Sequence, residues 1–495
     1  MSSSEIRVRM APSPTGYYHV GNARTAVFNW LFARQQGGTF VWRVEDTDRT
    51  RFVPDALDDQ AASMDWLGIT PDEGPLTGGD YGPYFQSERL ALYREFLQPL
   101  VDGGHAYRCF CSPERLSEVR ERRQRAGLKI GYDRHCRNLT AEEVAARLAA
   151  GETAVVRLAM PLGGELVLHD VLRGPIVFEA AEFEDVVLMK SDGFPTYHFA
   201  VVVDDHLMAI SHVLRADEWV PSAPIQIQLY RVLGWDEPVW AHVPMVLNPN
   251  GRGKLSKRKT VDGSESDVMV QVREYRAAGY LPEALFNYLA LLGWSFSADE
   301  DLFTREQALA AFRVEDIKTS PAAWNPDKLK WMNGVYIRQL AADDLAERLL
   351  PFLADAGLEV AVPDLLPLVP LIQERIETLA DAPALLDFFW REVAPSAADL
   401  VPKGLDAAAT GDLLAAAELV LADTQPWEPA AIEATLRKLA EGRGLKPGPA
   451  FQPLRVAITG KRVAPPLFET LEQLGRERSL ERLAAARVVL DGRDG

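Results

Sequence analysis

The sequence predicts a multidomain chain: an α/β domain interrupted by an inserted α+β segment, then an all-α C-terminal region. Three observations carry that reading. Residues 1 to about 86 run strand, loop, helix, strand, helix. Apolar alternation at Ile6, Val8 and Met10 marks the first strand, and ARTAVFNWLFARQ reads as a helix starting near Ala23. TFVWRVED reads as the second strand, and a further helix ends near Trp66-Leu67-Gly68. Residues 87–195 break this rhythm with a cysteine segment, a helix around TAEEVAARLAAG, and strand-like runs TAVVRLAM, GELVLHDVL and DVVLMK. A buried-strand pattern at AVVVDD (200–205), then VLRADEW (213–219), returns to parallel α/β character, so one interrupted sheet explains residues 1–246 better than two independent domains. From residue 336 onward, Ala/Leu periodicity in DDLAERLLPFLADAG and AAATGDLLAAAELVLADT, with Pro punctuation, predicts helices.

A chain of 495 residues exceeds one core and implies roughly three or four domains. No apolar run reaches the roughly 18–20 residues that cross a bilayer, and no membrane partner is expected. MSSSEIRVRM lacks the charged-then-apolar design of a signal peptide, and three cysteines make no disulfide framework, so a cytoplasmic location is expected. The net charge of −18 opposes nucleic-acid binding only on average. Basic clusters stand out locally: eight Lys/Arg against four Asp/Glu in residues 114–137, five against none in 251–260, and seven against one in 437–462.

Two short segments carry the chemistry. PSPTGYYHVGN (12–22) follows the first strand and presents His19 and Gly21 at a helix start, where unpaired N–H groups and the positive dipole end suit a phosphate. His19 adds a donor, and Gly21 leaves bare backbone for an adenine ring. KLSKRKT (254–260) places Lys254, Lys257 and Arg258 on a loop flanked by Gly251 and Gly253, cations suited to a leaving pyrophosphate. Either segment alone is an ordinary turn or basic loop; in this order, with further blocks between them, they frame one ATP site.

The pair resembles the HIGH and KMSKS signatures of class I aminoacyl-tRNA synthetases. APSPTG, RVEDTDR, DGFPTYHFAVVVDDH, KLKWMNG and QPLRVAITG extend the resemblance to the glutamyl-tRNA synthetase family, across residues 7–460. One departure is Asn22, which stands where the wider class has its second HIGH histidine; the glutamyl branch is similar in this. The resemblance implies a Rossmann-type catalytic domain in two halves (1–86 and 196–246) around an acceptor-end-binding insert (87–195). A stem-contact region (247–335) and a helical anticodon-binding region (336–495) follow. It implies ATP-dependent ligation of L-glutamate to tRNA(Glu) through glutamyl-adenylate, with Mg2+ accompanying ATP. Neither step needs a protein nucleophile, and a monomer is expected.

Site residues follow residue by residue. His19, Lys254, Lys257 and Arg258 are the catalytic candidates, and His19, Gly21, Asn22, Glu218, Trp219 and Lys257 the ATP-binding ones. Glu45 is the candidate anion for the substrate ammonium. Arg9 and Arg215, with Tyr197, are candidate readers of the side-chain carboxylate, since guanidinium forks match carboxylates. Ala11 and Ser13 lie on the loop between. Ala11, Glu45, Asp204 and Arg215 are expected at or just past strand ends, where ligands of such sheets sit. Cys109, Cys111 and Cys136 are one ligand short of a tetrahedral zinc site, which Tyr132 or His135 could complete; zinc-bearing family members show a similar Cys-x-Cys…Tyr-x-x-x-Cys pattern. Arg375, expected on a helix, resembles an anticodon-reading arginine. A glutaminyl enzyme would place a smaller uncharged residue at Arg215, and a glutamyl-queuosine-type relative would lack the helical arm. A non-catalytic tRNA-binding protein would not need His19, Glu45 and Lys257.

Overall fold

The computed structural model describes residues 5–256 and 268–492. It forms two compact units, Met1–Tyr275 with Pro282–Pro326, and Arg276–Leu281 with Asp327–Gly495. The first unit opens with β1 (Arg7–Met10), α1 (Val20–Gln36), β2 (Thr39–Trp42) and α2 (Ala56–Trp66). Then come α3 (Leu90–Asp102), β3 (Ala106–Cys109), α4 (Pro113–Arg125), α5 (Ala141–Ala149) and β4 (Val155–Leu158). The hairpin of β5 (Glu165–Asp170) and β6 (Gly174–Glu179) precedes β7 (Val187–Met189) and α6 (Tyr197–Leu207). Finally β8 (His212–Ala216), α7 (Ala223–Leu233) and β9 (Val239–Val243) complete the site-bearing part.

β1 pairs with β2 in parallel, and β8 with β9 in parallel. Ser211 joins the two pairs: its N–H donates to the Arg7 carbonyl at 2.9 Å and its Oγ accepts from the Arg7 N–H at 2.8 Å. β9 continues to β5 in parallel, and β6 closes that edge antiparallel. Part of residues 87–195 therefore lies in the same sheet as residues 239–243, while β3, β4 and β7 form a separate antiparallel sheet.

Helix α1 begins at Val20, three residues before the expected start, because the His19 ring caps it: Nδ1 accepts from the Gly21 N–H at 3.0 Å. It ends at Gly37, whose φ of +63° favours glycine. A Cβ on the next residue, Gly38, would lie 2.3 Å from the Ile6 carbonyl oxygen, so the turn into β2 requires glycine there.

AVVVDD is not a strand. It is the middle of α6, with Phe199 through Asp205 all buried. A helix enclosed on all sides reads as an unbroken apolar run, the same pattern a two-sided buried strand gives. Asp204 therefore sits inside a helix rather than past a strand end, and it organises the interior. Its carboxylate accepts from Arg89 Nε at 2.7 Å, Tyr93 Oη at 2.8 Å and Gln86 Nε2 at 2.9 Å, with Arg43 Nε at 3.8 Å.

In the second unit the described elements are helices, with Leu345, Leu349, Leu353, Leu413 and Leu436 buried. Asn333 of the KLKWMNG block is fully buried; its Oδ1 accepts from the Leu281 N–H at 2.7 Å and its Nδ2 donates to the Glu377 carbonyl at 2.6 Å. Arg375 does not lie in a helix. The prolines around residues 363–370 cut this stretch into short pieces, and Arg375 occupies the exposed turn after Val369–Ile372, beside Arg455.

Replacing Asp204 with Ala should leave Arg89 and Arg43 short of a buried counter-charge. Urea denaturation should show a loss of about 3–5 kcal/mol; a change below about 1 kcal/mol would mean the arginines find other partners.

Candidate active site

The amino-acid end is built on β1, the segment after β2, α6 and β8. Arg9 is only 5% exposed, because β1 is flanked on both sides rather than forming a sheet edge. Its Nε and Nη2 hydrogen-bond to the Asp205 carboxylate at 3.1 and 3.3 Å. Arg43, also fully buried, donates to Asp205 Oδ1 at 2.7 Å and to Glu45 Oε1 at 3.1 Å. Burial pushes the Glu45 carboxyl up, with Arg43 and Arg9 opposing it. Asp205 is likewise desolvated, but Arg9 and Arg43 outweigh that and hold it below the usual carboxylate range.

Arg215 faces this cluster from β8. Its Nε donates to His242 Nε2 at 2.9 Å, and its Nη1 to the Tyr197 hydroxyl at 3.4 Å. Its Nη2 is buried and has no hydrogen-bond partner among the described residues. Burial pushes the guanidinium below its ordinary value. The Tyr197 ring lies 4.3 Å from that of Trp219, linking the amino-acid end to the adenosine candidates. Electrostatic coupling among Tyr197, Arg215, Glu45 and Arg9 places these four expected residues together. Ala11 directly follows β1, and Ser13 is exposed, its carbonyl accepting from Gln60 at 3.4 Å.

At the ATP end, His19 Nδ1 is occupied by the Gly21 N–H, so a neutral ring carries its proton on Nε2. A Cβ at Gly21 would come within 3.1 Å of His19 Nδ1, a second reason for glycine there. Asn22 is exposed. Lys254 Nζ pairs with Glu218 at 2.8 and 2.9 Å on the surface, and its charge reaches the His19 ring. The backbone N–H of Val20 donates to Val270 and that of Val272 to Tyr18, so residues after the basic loop are stitched to the HVGN turn. Lys257 and Arg258 lie outside the described residues.

The sulfurs of Cys109, Cys111 and Cys136 lie within 4.8 Å of one another. The buried Tyr132 hydroxyl is 3.3 Å from Cys109 Sγ and 3.7 Å from Cys111 Sγ, whereas His135 is exposed. Arg115 Nη1 donates to Cys111 Sγ at 3.4 Å, and Arg157 lies 3.9 Å over the Tyr132 ring. Against burial, hydrogen bonds from Tyr132, the Cys111 backbone and Arg157 hold the Cys109 thiol below its ordinary value, whereas burial and the neighbouring sulfurs push Cys111 up to about 12. Three sulfurs with a phenol oxygen beside them match the donor set of a four-coordinate zinc.

Sequence reasoning missed Arg43, Asp205, Arg89, His242 and Asp170. The adjacent acids of VVVDD were the available signal for the first three; nothing local marks His242.

His19, His198 and His242 are each pushed down to about 4, by burial foremost. A histidine depressed in the folded state is protonated first in the unfolded chain. Stability therefore falls as pH drops from about 6.5 to about 4, by up to ~1.4 kcal/mol per pH unit for each group. Urea midpoints at about pH 7, 6 and 5 should decline, with a shallower decline in His198→Gln. Equal slopes in the two proteins would show that His198 exchanges protons freely when folded.

Residues 5–331 match the family model described as tRNA synthetases class I (E and Q), catalytic domain, and residues 344–487 match an anticodon binding domain. The chain is 50% identical to the glutamate–tRNA ligase of Chloroflexus aurantiacus, over 99% of each chain. It is 47% identical to that of Dehalococcoides mccartyi strain 195, over 98% of each. Among solved structures it matches a glutamate tRNA ligase from Elizabethkingia meningosepticum in complex with its amino acid, with TM-score 0.87 and 32% identity over 98% of this chain and 100% of that one. With its folded interior and its sequence pointing the same way, the chain belongs to the class I tRNA synthetases of the glutamate and glutamine family.

Proposed function

We infer that this chain is a glutamate–tRNA ligase. An α-carboxylate oxygen of L-glutamate attacks the α-phosphorus of ATP, expelling pyrophosphate and leaving glutamyl-adenylate. A ribose hydroxyl at the tRNA terminus then attacks the activated carbonyl and AMP departs. The observation that carries this reading is the opposed pair at the amino-acid end. Burial pushes Arg215 and Glu45 each towards its neutral form. A substrate with a carboxylate for the first and an ammonium for the second relieves both at once.

The residues' tasks are positioning and charge stabilisation. Arg215, with Arg9 and Tyr197, takes the side-chain carboxylate, and Glu45 the ammonium. Trp219 packs beside Tyr197 where the adenosine would lie, and His19 Nε2–H meets the phosphates. Lys254 exchanges Glu218 for the triphosphate, and Lys257 and Arg258 meet the charge of the leaving pyrophosphate. Mg2+ accompanies ATP and offsets phosphate charge. Cys109, Cys111, Tyr132 and Cys136 would hold a zinc ion whose contribution is structural, fixing β3 against the segment after α4. Arg375 serves the anticodon end, and the cytoplasm is the expected site of action.

Glutamine differs from glutamate by an amide in place of a carboxylate at nearly equal size. Arginine offers donors only, so an amide NH2 facing Arg215 leaves a buried cation unmatched. Discrimination of roughly 10⁴ is expected, as for sites built around one polar partner. Glutamate-dependent ATP–pyrophosphate exchange, with and without tRNA(Glu), tests the activity. Arg215→Ala should collapse both glutamate kcat/KM and the preference over glutamine while leaving the KM for ATP nearly unchanged. Retention of the wild-type preference would mean that the side chain is read elsewhere.

Purified protein should carry about one zinc per chain, lost in Cys109→Ser with local damage around β3. Metal analysis finding none in protein kept free of chelators would leave three ordinary thiols.

A further inference from the structure

Parallel register sets Arg215 of β8 directly beside His242 of β9. The contact between them is specific. Arg215 Nε donates to His242 Nε2 at 2.9 Å, while His242 Nδ1 lies 2.7 Å from Asp170 Oδ2 at the end of β5. His242 and Asp170 side chains are both completely shielded from water. Asp170 Oδ2 also accepts the backbone N–H of His242 at 2.9 Å, and Oδ1 accepts the N–H groups of Leu172 and Arg173 at 2.9 and 3.1 Å. The carboxylate is therefore fixed by main chain, independently of the imidazole it orients.

This geometry determines a tautomer. A carboxylate at Nδ1 requires the proton there, which leaves Nε2 as an acceptor, and an acceptor is what Arg215 Nε needs. A protonated His242 would present N–H to N–H against Arg215. Burial, with the charge of Arg215, works against that form despite the Asp170 carboxylate. The Trp240 ring, 4.9 Å from the guanidinium carbon, supports Arg215 from another side.

We propose that His242, locked by Asp170, is a positioning residue for amino-acid recognition: by holding Arg215 at Nε it turns the Nη1/Nη2 edge towards the substrate's side-chain carboxylate. The proposal rests on the reading of Arg215 as the carboxylate reader. Without the imidazole, Nε would seek another acceptor and the guanidinium could rotate its terminal edge away. Glutamate binding would weaken, and glutamine would be excluded less well. Among the described residues, the side-chain hydrogen-bond partners of the His242 ring are Arg215 and Asp170.

The test is aminoacylation of tRNA(Glu) by the full-length enzyme carrying His242→Leu, His242→Gln or His242→Asn, beside Arg215→Ala and the double variant His242→Leu/Arg215→Ala. In His242→Leu the KM for glutamate should rise roughly 10- to 100-fold, the scale of a lost hydrogen bond to a charged group. The glutamate-to-glutamine ratio should fall, and the KM for ATP should hold. His242→Gln, whose amide oxygen can take the place of Nε2, should recover most of the loss. His242→Asn, one bond shorter, should not; that contrast decides the matter even where the Leu variant is insoluble. Adding His242→Leu to Arg215→Ala should change little further. Equal effects on glutamate and ATP, or additivity with Arg215→Ala, would make His242 merely structural and overturn the proposal. A wild-type preference in Arg215→Ala itself would instead overturn the reading of Arg215.

Discussion

Arg43 sits fully buried between Asp205, Asp204 and Glu45, and without it these carboxylates would share a space closed to water. With Arg9 and Arg89 it makes three cations against three anions, each at most 7% exposed. A buried cluster of this kind adds little net stability, because desolvation offsets most of the Coulombic gain. What it does is fix geometry: no member can move without leaving a charge unmatched. Arg215 stands outside that balance. Its neighbours are a neutral imidazole, a phenol and an indole ring, none carrying negative charge. Arg215 thus has no carboxylate among its direct partners in the described residues, and in the proposed role a substrate carboxylate would supply one.

The residue types of the pocket were legible in the sequence, but their pairings were not. Arg9, Glu45, Tyr197 and Arg215 stand in blocks that resemble the family, and they do converge. The partners that hold them come from long-range packing, strand beside strand in one case and strand against helix in the other. Arg215 meets His242 because β8 lies beside β9, and Arg9 meets Asp205 across 196 positions. Nothing in a local window encodes either contact. The misreading of AVVVDD has a related cause: a helix enclosed by sheet and neighbouring helices has no polar face to betray its period. Spacing also left Tyr132 and His135 open as the fourth partner of the cysteines. Tyr132 is buried beside the sulfurs and His135 is exposed, a difference that spacing does not encode.

The two ends of the site have opposite physical character. The amino-acid end is buried and, Arg215 Nη2 apart, internally paired, so its charged groups are held before substrate arrives. At the ATP end, Glu218 and Lys254 pair on the surface, where an ion pair contributes little and water screens it. Exchanging Glu218 for a triphosphate therefore costs Lys254 little. A rigid group suits discrimination between glutamate and glutamine, which turns on one hydrogen-bond donor or acceptor. A weakly held cation suits a reaction in which charge moves from the α-phosphorus to a departing pyrophosphate.

That contrast accounts for the placement of the buried histidines. His242 lies at the rigid end, where an imidazole is useful as a fixed acceptor and its protonation would destroy the contact with Arg215. His19 lies at the N-terminus of α1, where phosphate binding is proposed. Its Nδ1 is tied to the first turn of α1, which leaves Nε2 as the nitrogen that carries the proton. In both cases burial removes the positive charge and one hydrogen bond chooses the tautomer, leaving a single nitrogen to act. At His242 that nitrogen accepts, and at His19 it donates. In the proposed roles the same side chain would serve specificity at one end and phosphate binding at the other, the difference being set by which ring nitrogen the fold engages.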